Sequence, residues 1–167
     1  MLEPNWLGCL AAYHPRRQAV WFRGAWLTYA ELYQRAQRAA GTLRDLGVGK
    51  GDRVGLLAWN HPAYLDLLFA GPLLGHILTP FNHRLSLPEL QALYTYTEPR
   101  ALLYGEGFQE IAQALDPRAL PLEVLLEGGG NRGSRPGRAG RPRPPPLHRR
   151  HHRPAQRSPD PLPPAPG

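Results

Sequence analysis

Cysteine, lysine and methionine each occur once in the 167 residues, as Cys9, Lys50 and Met1. A single cysteine excludes an intramolecular disulfide and a thiolate metal site. It is the usage expected in a reducing cytoplasm, which is the predicted location. Long apolar runs are also missing. The longest, Tyr64 to Leu74, is interrupted by Asp66 and Pro72 and falls far short of the roughly 20 residues of a transmembrane helix. Met1 to Ala12 carries Glu3 and Asn5 and no basic leader, so a secretory signal is not expected. His14, His61 and His76 are scattered rather than set at metal-ligand spacing. No G-x-S-x-G elbow occurs, and Cys9 has no His or Asn partner identifiable in the sequence. Asp52, Asp66 and Glu89 lack the paired spacing that drives two carboxylates to different pKa values, and each is predicted to be a solvated or capping acid.

Positive charge is plentiful, with a net +7, but it is unevenly placed. Residues 1–127 hold eleven basic and twelve acidic side chains, whereas residues 128–167 hold nine Arg and one acid, Asp160. The basic character therefore belongs to the tail, and the front segment has no nucleic-acid footprint. The tail also contains eleven Pro and seven Gly, with Leu147 and Leu162 as its large aliphatics and no aromatic residue. Such a segment cannot bury enough apolar area to offset its ordering entropy, so 128–167 is predicted to be disordered. The length corresponds to roughly one domain, placed at 1–127.

Within 1–127 the apolar residues fall into alternating elements. Asn5 can cap a short helix over Trp6–Tyr13. Ala19–Phe22 and Ala25–Thr28 flank Arg23-Gly24 and suggest a hairpin. Thr28 and Glu31 have the spacing of a capping box. It opens a long helix with Leu32, Ala36, Ala39, Leu43 and Leu46 on one stripe, closed by Gly47. Strands are then predicted at Arg53–Trp59, His76–Pro80, Ala101–Tyr104 and Leu122–Leu126. Helices are predicted at His61–Leu74, capped by Asn60, from Ser86 to about Thr97 behind a Ser86–Glu89 capping box, and at Phe108–Leu115. Apolar strands alternating with helices indicate an α/β fold: a parallel sheet with helical crossovers, covered on both faces. About 127 residues make a marginal core for such a sheet, so the domain reads as incomplete. The last strand, Leu122–Leu126, is expected to lack neighbours and to promote aggregation.

Three stretches invite a chemical reading. Gly47-Val48-Gly49-Lys50-Gly51-Asp52 is rich in glycine, but it follows a helix and precedes a strand. That is the reverse of a phosphate loop, and the stretch does not match G-x-x-x-x-G-K-[ST]. It reads as a helix-to-strand turn. Asn82-His83-Arg84 follows a strand, where sites of α/β proteins gather. His83 is a candidate base and Arg84 a candidate anion clamp; the alternative is a loop whose polar groups tie its own backbone together. In the tail, the cluster His148 to His152 and Pro144-Pro145-Pro146 are compositional matches to metal, RNA or proline-recognition sites.

Taken as an ordered series, several segments resemble the start of the AMP-forming acyl-CoA synthetases, or fatty-acid–CoA ligases. They are Asn5-Trp6-Leu7, the Ala19-Val20 strand, Leu27 to Leu32, Leu46 to Val54, Asn60-His61-Pro62, Gly75 and Pro80-Phe81-Asn82-His83-Arg84-Leu85. The likeness spans about residues 5–126. It implies a parent reaction in which a carboxylic acid and ATP give an acyl-adenylate and pyrophosphate, and coenzyme A then displaces AMP. Mg²⁺ is implied as well. In that family the phosphate-gripping T-S-G-T-T-G-x-P-K-G loop and a C-terminal lid with a catalytic Lys lie beyond the matched region, and neither occurs here. The resemblance therefore transfers no catalytic, cofactor-binding or metal residue. It predicts a truncated, inactive ligase, with ATP, Mg²⁺, CoA and a fatty or other carboxylic acid belonging to the intact family rather than to this fragment. Arg, Pro, Gly and Ala have GC-rich codons, so a frameshift at about codons 126–130 would account for the tail. Ser158 to Leu162, read one base later, can encode Ala-Leu-Ile-Leu-Tyr, similar to what precedes the family's phosphate loop. The rival expectation is a small α/β binding module whose basic tail meets nucleic acid or a proline-recognising partner.

Overall fold

In the computed structural model the described residues are 5–127; the tail expected at 128–167 lies outside them. Helix α1, Trp6–Tyr13, opens at Asn5, whose Oδ1 accepts from the Gly8 amide at 2.9 Å. The predicted hairpin follows as β1, Gln18–Phe22, and β2, Ala25–Thr28, with Trp21 opposite Trp26. Arg23 and Gly24 have φ of 47° and 87°, the left-handed pair whose twist matches a two-residue hairpin turn. The Thr28–Glu31 capping box is formed: the Glu31 amide donates to Thr28 Oγ1 at 3.3 Å, and the Thr28 amide donates to Glu31 Oε2 at 2.7 Å. Helix α2, Tyr29–Asp45, buries Leu32, Ala36, Ala39 and Leu43 as expected. Leu46 corrects the predicted stripe. The helix stops one residue earlier, and Leu46 is exposed on the turn to Gly47.

The parallel unit is β3, Arg53–Leu57; α3, Ala63–Leu74; β4, Ile77–Pro80; α4, Leu87–Thr97; β5, Ala101–Tyr104; α5, Gln109–Leu115; β6, Leu120–Pro121; and α6, Val124–Glu127. The strand order is β4-β3-β5-β6, all parallel. Val54, Gly55, Leu56 and Leu57 of β3 are all buried, as expected of a strand covered on both faces. One face packs on α2, α3 and α6 through Leu43, Leu56, Leu67, Leu103 and Leu125. The other packs on α4 and α5 through Leu57, Phe81, Leu90, Leu102 and Ala112. Each fully buried leucine contributes roughly 2 kcal/mol of transfer free energy. A third cluster, Leu7, Leu32 and Ala36, seats α1 and the hairpin on α2.

Three sequence expectations fail for local physical reasons. Strand β3 ends at Leu57 rather than Trp59, because Leu57 is its last residue paired to β5 and its carbonyl accepts from the Gly105 amide. Helix α3 begins at Ala63, not His61, and Asn60 does not cap it. Pro62 excludes the preceding residue from helical geometry, and His61 Nδ1 takes the Ala63 amide instead, at 3.1 Å. The predicted strand Leu122–Leu126 is absent. Leu122 donates to the Tyr104 carbonyl, and the chain then coils, with Leu125 donating to Leu122 and Leu126 to Glu123. Leu122 and Leu125 are buried three residues apart, a helical rather than an alternating spacing. The sheet edge there is the two-residue β6 with Pro121 on it, a blunted edge rather than the exposed strand that was expected.

Asp66 also departs from its expected role. It is 1% exposed and takes both arms of Arg35, at 2.9 and 2.6 Å, which clamps α3 to α2. Asp52 and Glu89 serve local structure as predicted, accepting the Gly49 and Ser86 amides at 2.8 Å each.

Candidate functional site

The carboxyl ends of parallel strands are where an α/β sheet presents its loops to ligands. Here β3 delivers Ala58 to His61, β4 delivers Phe81 to Arg84, β5 delivers Gly105 to Phe108, and β6 delivers Leu122 and Glu123. Gly105 holds this end together: a Cβ at that position would lie 2.9 Å from the Ala58 Cβ, so only glycine lets the β3 and β5 loops approach. Trp59, His83 and Phe108, one from each of three loops, form an aromatic cluster. The Trp59 ring centroid lies 4.3 Å from that of His83 and 5.2 Å from that of Phe108. Phe108 is buried beneath, and Trp59 is 58% exposed.

Beside this cluster lies a cleft of about 100 Å³, lined among others by Arg23, Trp59, His61, Glu106 and Glu123. Its single charge contact is an exposed Arg23–Glu106 pair at 4.0 Å, which water and salt leave nearly worthless. His61 points its Nδ1 at the Ala63 amide, so the ring carries its proton on Nε2. Burial, then the Arg35 charge, lowers its pKa below the ordinary histidine value and keeps it neutral. Phe22 meets its ring edge-on at 5.3 Å. Tyr64 donates to the Ala58 carbonyl at 3.0 Å, and burial raises its phenol above the usual range. These contacts hold loops; they do not set a base beside a nucleophile. At about 100 Å³, the cleft is also several-fold smaller than the roughly 300 Å³ at which small-molecule pockets begin.

The sequence candidates divide here. His83 is half-buried against Trp59 and Phe108, and among the described residues no carboxylate orients it. Arg84 is exposed, and its backbone amide donates to Asn82 Oδ1 at 3.0 Å. That hydrogen bond is the one expected of a loop whose polar groups tie its own backbone together. The glycine-rich stretch is the expected helix-to-strand turn: Gly47 and Gly51 have φ of 80° and 83°. Most of its amides are already engaged, Val48 with the Leu43 carbonyl, Gly49 with Asp52 and Gly51 with the Gly75 carbonyl, so the stretch offers no run of free amides to cradle a phosphate. Among the described residues no three His, Cys, Asp or Glu side chains gather as a metal site. Among the described residues there is thus no carboxylate cluster to suit Mg²⁺ and no open amide cradle to suit a nucleoside triphosphate. Sequence reasoning missed the aromatic cluster. Its signal was three aromatic residues, each just past a strand.

A family model described as "AMP-binding enzyme" matches residues 10–161. The long-chain-fatty-acid–CoA ligase of Thermus thermophilus is 43% identical over 101 residues, 60% of this chain and 17% of the relative. The feruloyl-CoA synthase of an Amycolatopsis species is 40% identical over 111 residues, 66% of this chain and 23% of the relative. Among solved structures, the O-succinylbenzoate coenzyme A synthetase of Bacillus subtilis, in complex with ATP and magnesium, superposes with a TM-score of 0.69 at 26% identity. It covers 77% of this chain and 35% of that one. The N-terminal domain of FACL13 from Mycobacterium tuberculosis gives a TM-score of 0.65 at 28% identity, over 78% of this chain and 37% of that one. The chain thus spans about a fifth of the length of these curated relatives.

Proposed function

The chain belongs to the AMP-binding enzyme family, and we propose that it is the N-terminal frame of an AMP-forming acyl-CoA ligase that does not catalyse the ligase reaction by itself. The observation that carries this reading is coverage. The likeness to named CoA ligases and synthetases is sustained over 60 to 66% of this chain but only 17 to 23% of the relatives. In the parent reaction the carboxylate attacks the α-phosphorus of ATP and pyrophosphate leaves. The thiol of CoA then forms the thioester as AMP departs. Both steps need charge stabilisation placed in advance around the transferring group. The described residues supply a buried ion pair, an aromatic cluster and a small cleft, and we assign none of them a catalytic role. ATP, Mg²⁺, CoA and the acyl substrate accordingly belong to the intact ligase, which we place in the cytoplasm.

The same reading treats 1–127 as a partial domain and 128–167 as the product of a shifted reading frame. The family match that runs on to residue 161 is the finding this second point has to meet. Sequencing the coding DNA from about codon 115 past the stop, and translating all three frames, decides it. A T-S-G-T-T-G-x-P-K-G loop in a shifted frame supports the proposal; closed alternative frames refute it. For the activity, purified full-length chain is incubated with ATP, Mg²⁺, CoA and fatty acids of several lengths, and AMP release is followed. No release above the protein-free control is expected. Acyl-CoA formation would overturn the inactivity.

A further inference from the structure

We propose that β4 and its lead-in residue, His76 to Pro80, form a segment that opens locally in mild acid, with protonation of His76 as the trigger. β4 is the outer strand of the order β4-β3-β5-β6, so its backbone is bonded on one side only. On that side the Ile77 amide donates to the Asp52 carbonyl at 2.8 Å. Side chains fasten the segment weakly. Ile77 and Pro80 are exposed, and Leu78 and Thr79 are half-buried. His76, 6% exposed, is the one buried residue of the five. Detaching the segment therefore exposes little apolar surface beyond what surrounds that ring. Local opening takes such weakly held units before the whole fold.

The ring sits where a charge is poorly accommodated. Strand alternation puts His76 on the face of Leu78, which packs with α2 and α3. Among the described residues neither ring nitrogen has a hydrogen-bond partner of acceptable geometry. No carboxylate on the elements around it is free to answer an imidazolium. On α3, Asp66 is held by both arms of Arg35. In the turn before β3, the Asp52 carboxylate accepts from the Gly49 amide, and Lys50, whose side chain lies over Gly75, brings a like charge. At the start of β3, Arg53 turns its guanidinium to the Thr97 and Glu98 carbonyls. On α2, Arg38, Arg44 and Asp45 are exposed to water. Burial lowers the His76 pKa, opposed by the Leu67 carbonyl alone. Opening lets the imidazolium reach water, so proton uptake favours the open form. Opening is therefore suppressed above about pH 6.5 and grows below it, by up to about tenfold per pH unit for one proton.

Hydrogen exchange of the full chain, followed by NMR between about pH 7 and 5 and corrected for intrinsic exchange, reads the segment through the Ile77 amide. Its opening constant is expected to rise by up to about tenfold per unit below about pH 6.5, with little dependence on added urea because little surface is exposed. The rise should vanish in His76→Phe, and in His76→Leu, which repeats the comparison with a different side-chain shape. Exchange of this amide solely through the urea-sensitive global unfolding would overturn the inference, because the segment would then not open alone. An opening constant that ignores pH in the native chain, or a rise that persists in both variants, would overturn it too, because His76 would not be the trigger.

Discussion

His76 gives the sharpest test of how burial governs this fold. The ring is 6% exposed, and neither nitrogen has a hydrogen-bond partner of acceptable geometry among the described residues; the Leu67 carbonyl nearby supplies only a weak opposing influence. Burial is the main cause of its pKa lying below the ordinary value of 6.5. As pH falls below about 6.5, the unfolded chain takes up the proton first. Stability is therefore full above that pH and declines as pH falls towards the folded-state pKa. The slope reaches about 1.4 kcal/mol per pH unit for each such group. His61 is lowered in the same direction, but it is half-exposed and solvent weakens its share of the slope. Acids do not confuse the window: Asp116 sits near 2, and Glu31 and Glu89 lie below their ordinary value of 4.5. Replacing His76 with Phe keeps a ring of similar size and removes two unpartnered polar atoms, each costing about 1–3 kcal/mol when buried unsatisfied. The variant is expected to gain about 1 kcal/mol at neutral pH, part of the benefit being offset by imperfect repacking. It should also lose the part of the slope between pH 6.5 and 5.5 that His76 contributes. Urea unfolding of the full chain followed by tryptophan fluorescence, at several pH values, measures both. An unchanged slope in His76→Phe would refute the reasoning.

Asp66→Ala should cost about 3–5 kcal/mol in the same urea assay, because it strands the Arg35 guanidinium between α2 and α3 without its carboxylate. Gly24→Ala and Gly75→Ala both force alanine to positive φ, at 87° and 84°. The first has open space around it and should cost about 1 kcal/mol; the second should cost more, since its Cβ would lie 3.2 Å from the Lys50 Cα. Tyr94 donates to Asp116 at 2.7 Å, and burial, then this bond, pushes its phenol up to about 12. Ultraviolet titration should show a late-ionising tyrosine that disappears in Tyr94→Phe. Because that folded-state pKa is raised, the associated stability is present below pH 10 and is lost between about pH 10 and 12.

Local signals in the chain were legible where they were chemically self-contained. The Thr28–Glu31 and Ser86–Glu89 boxes, the Asn5 cap, the Arg23-Gly24 turn and the Gly47 turn each involve residues a few positions apart, so their geometry follows from short-range sterics and hydrogen bonding. The errors fell where a distant partner decided the outcome. Trp59 looked like strand until the β3–β5 pairing ended at Leu57. Leu122–Leu126 looked like strand because an apolar run does not reveal its period when its covering helices are unknown. At the candidate site, the placement of loops after strands was readable, but the joining of Trp59, His83 and Phe108 was not, because strand order brings those loops together.

The sequence by itself determined the α/β alternation, the caps and turns, the absence of a long apolar span and the family likeness, since each rests on spacing along the chain. Tertiary structure decided the order β4-β3-β5-β6, the burial of Asp66 against Arg35, the isolation of His76 and the outward face of Trp21 and Trp26. Those depend on which surfaces meet, and contacts between residues tens of positions apart leave no periodic trace in the chain that makes them.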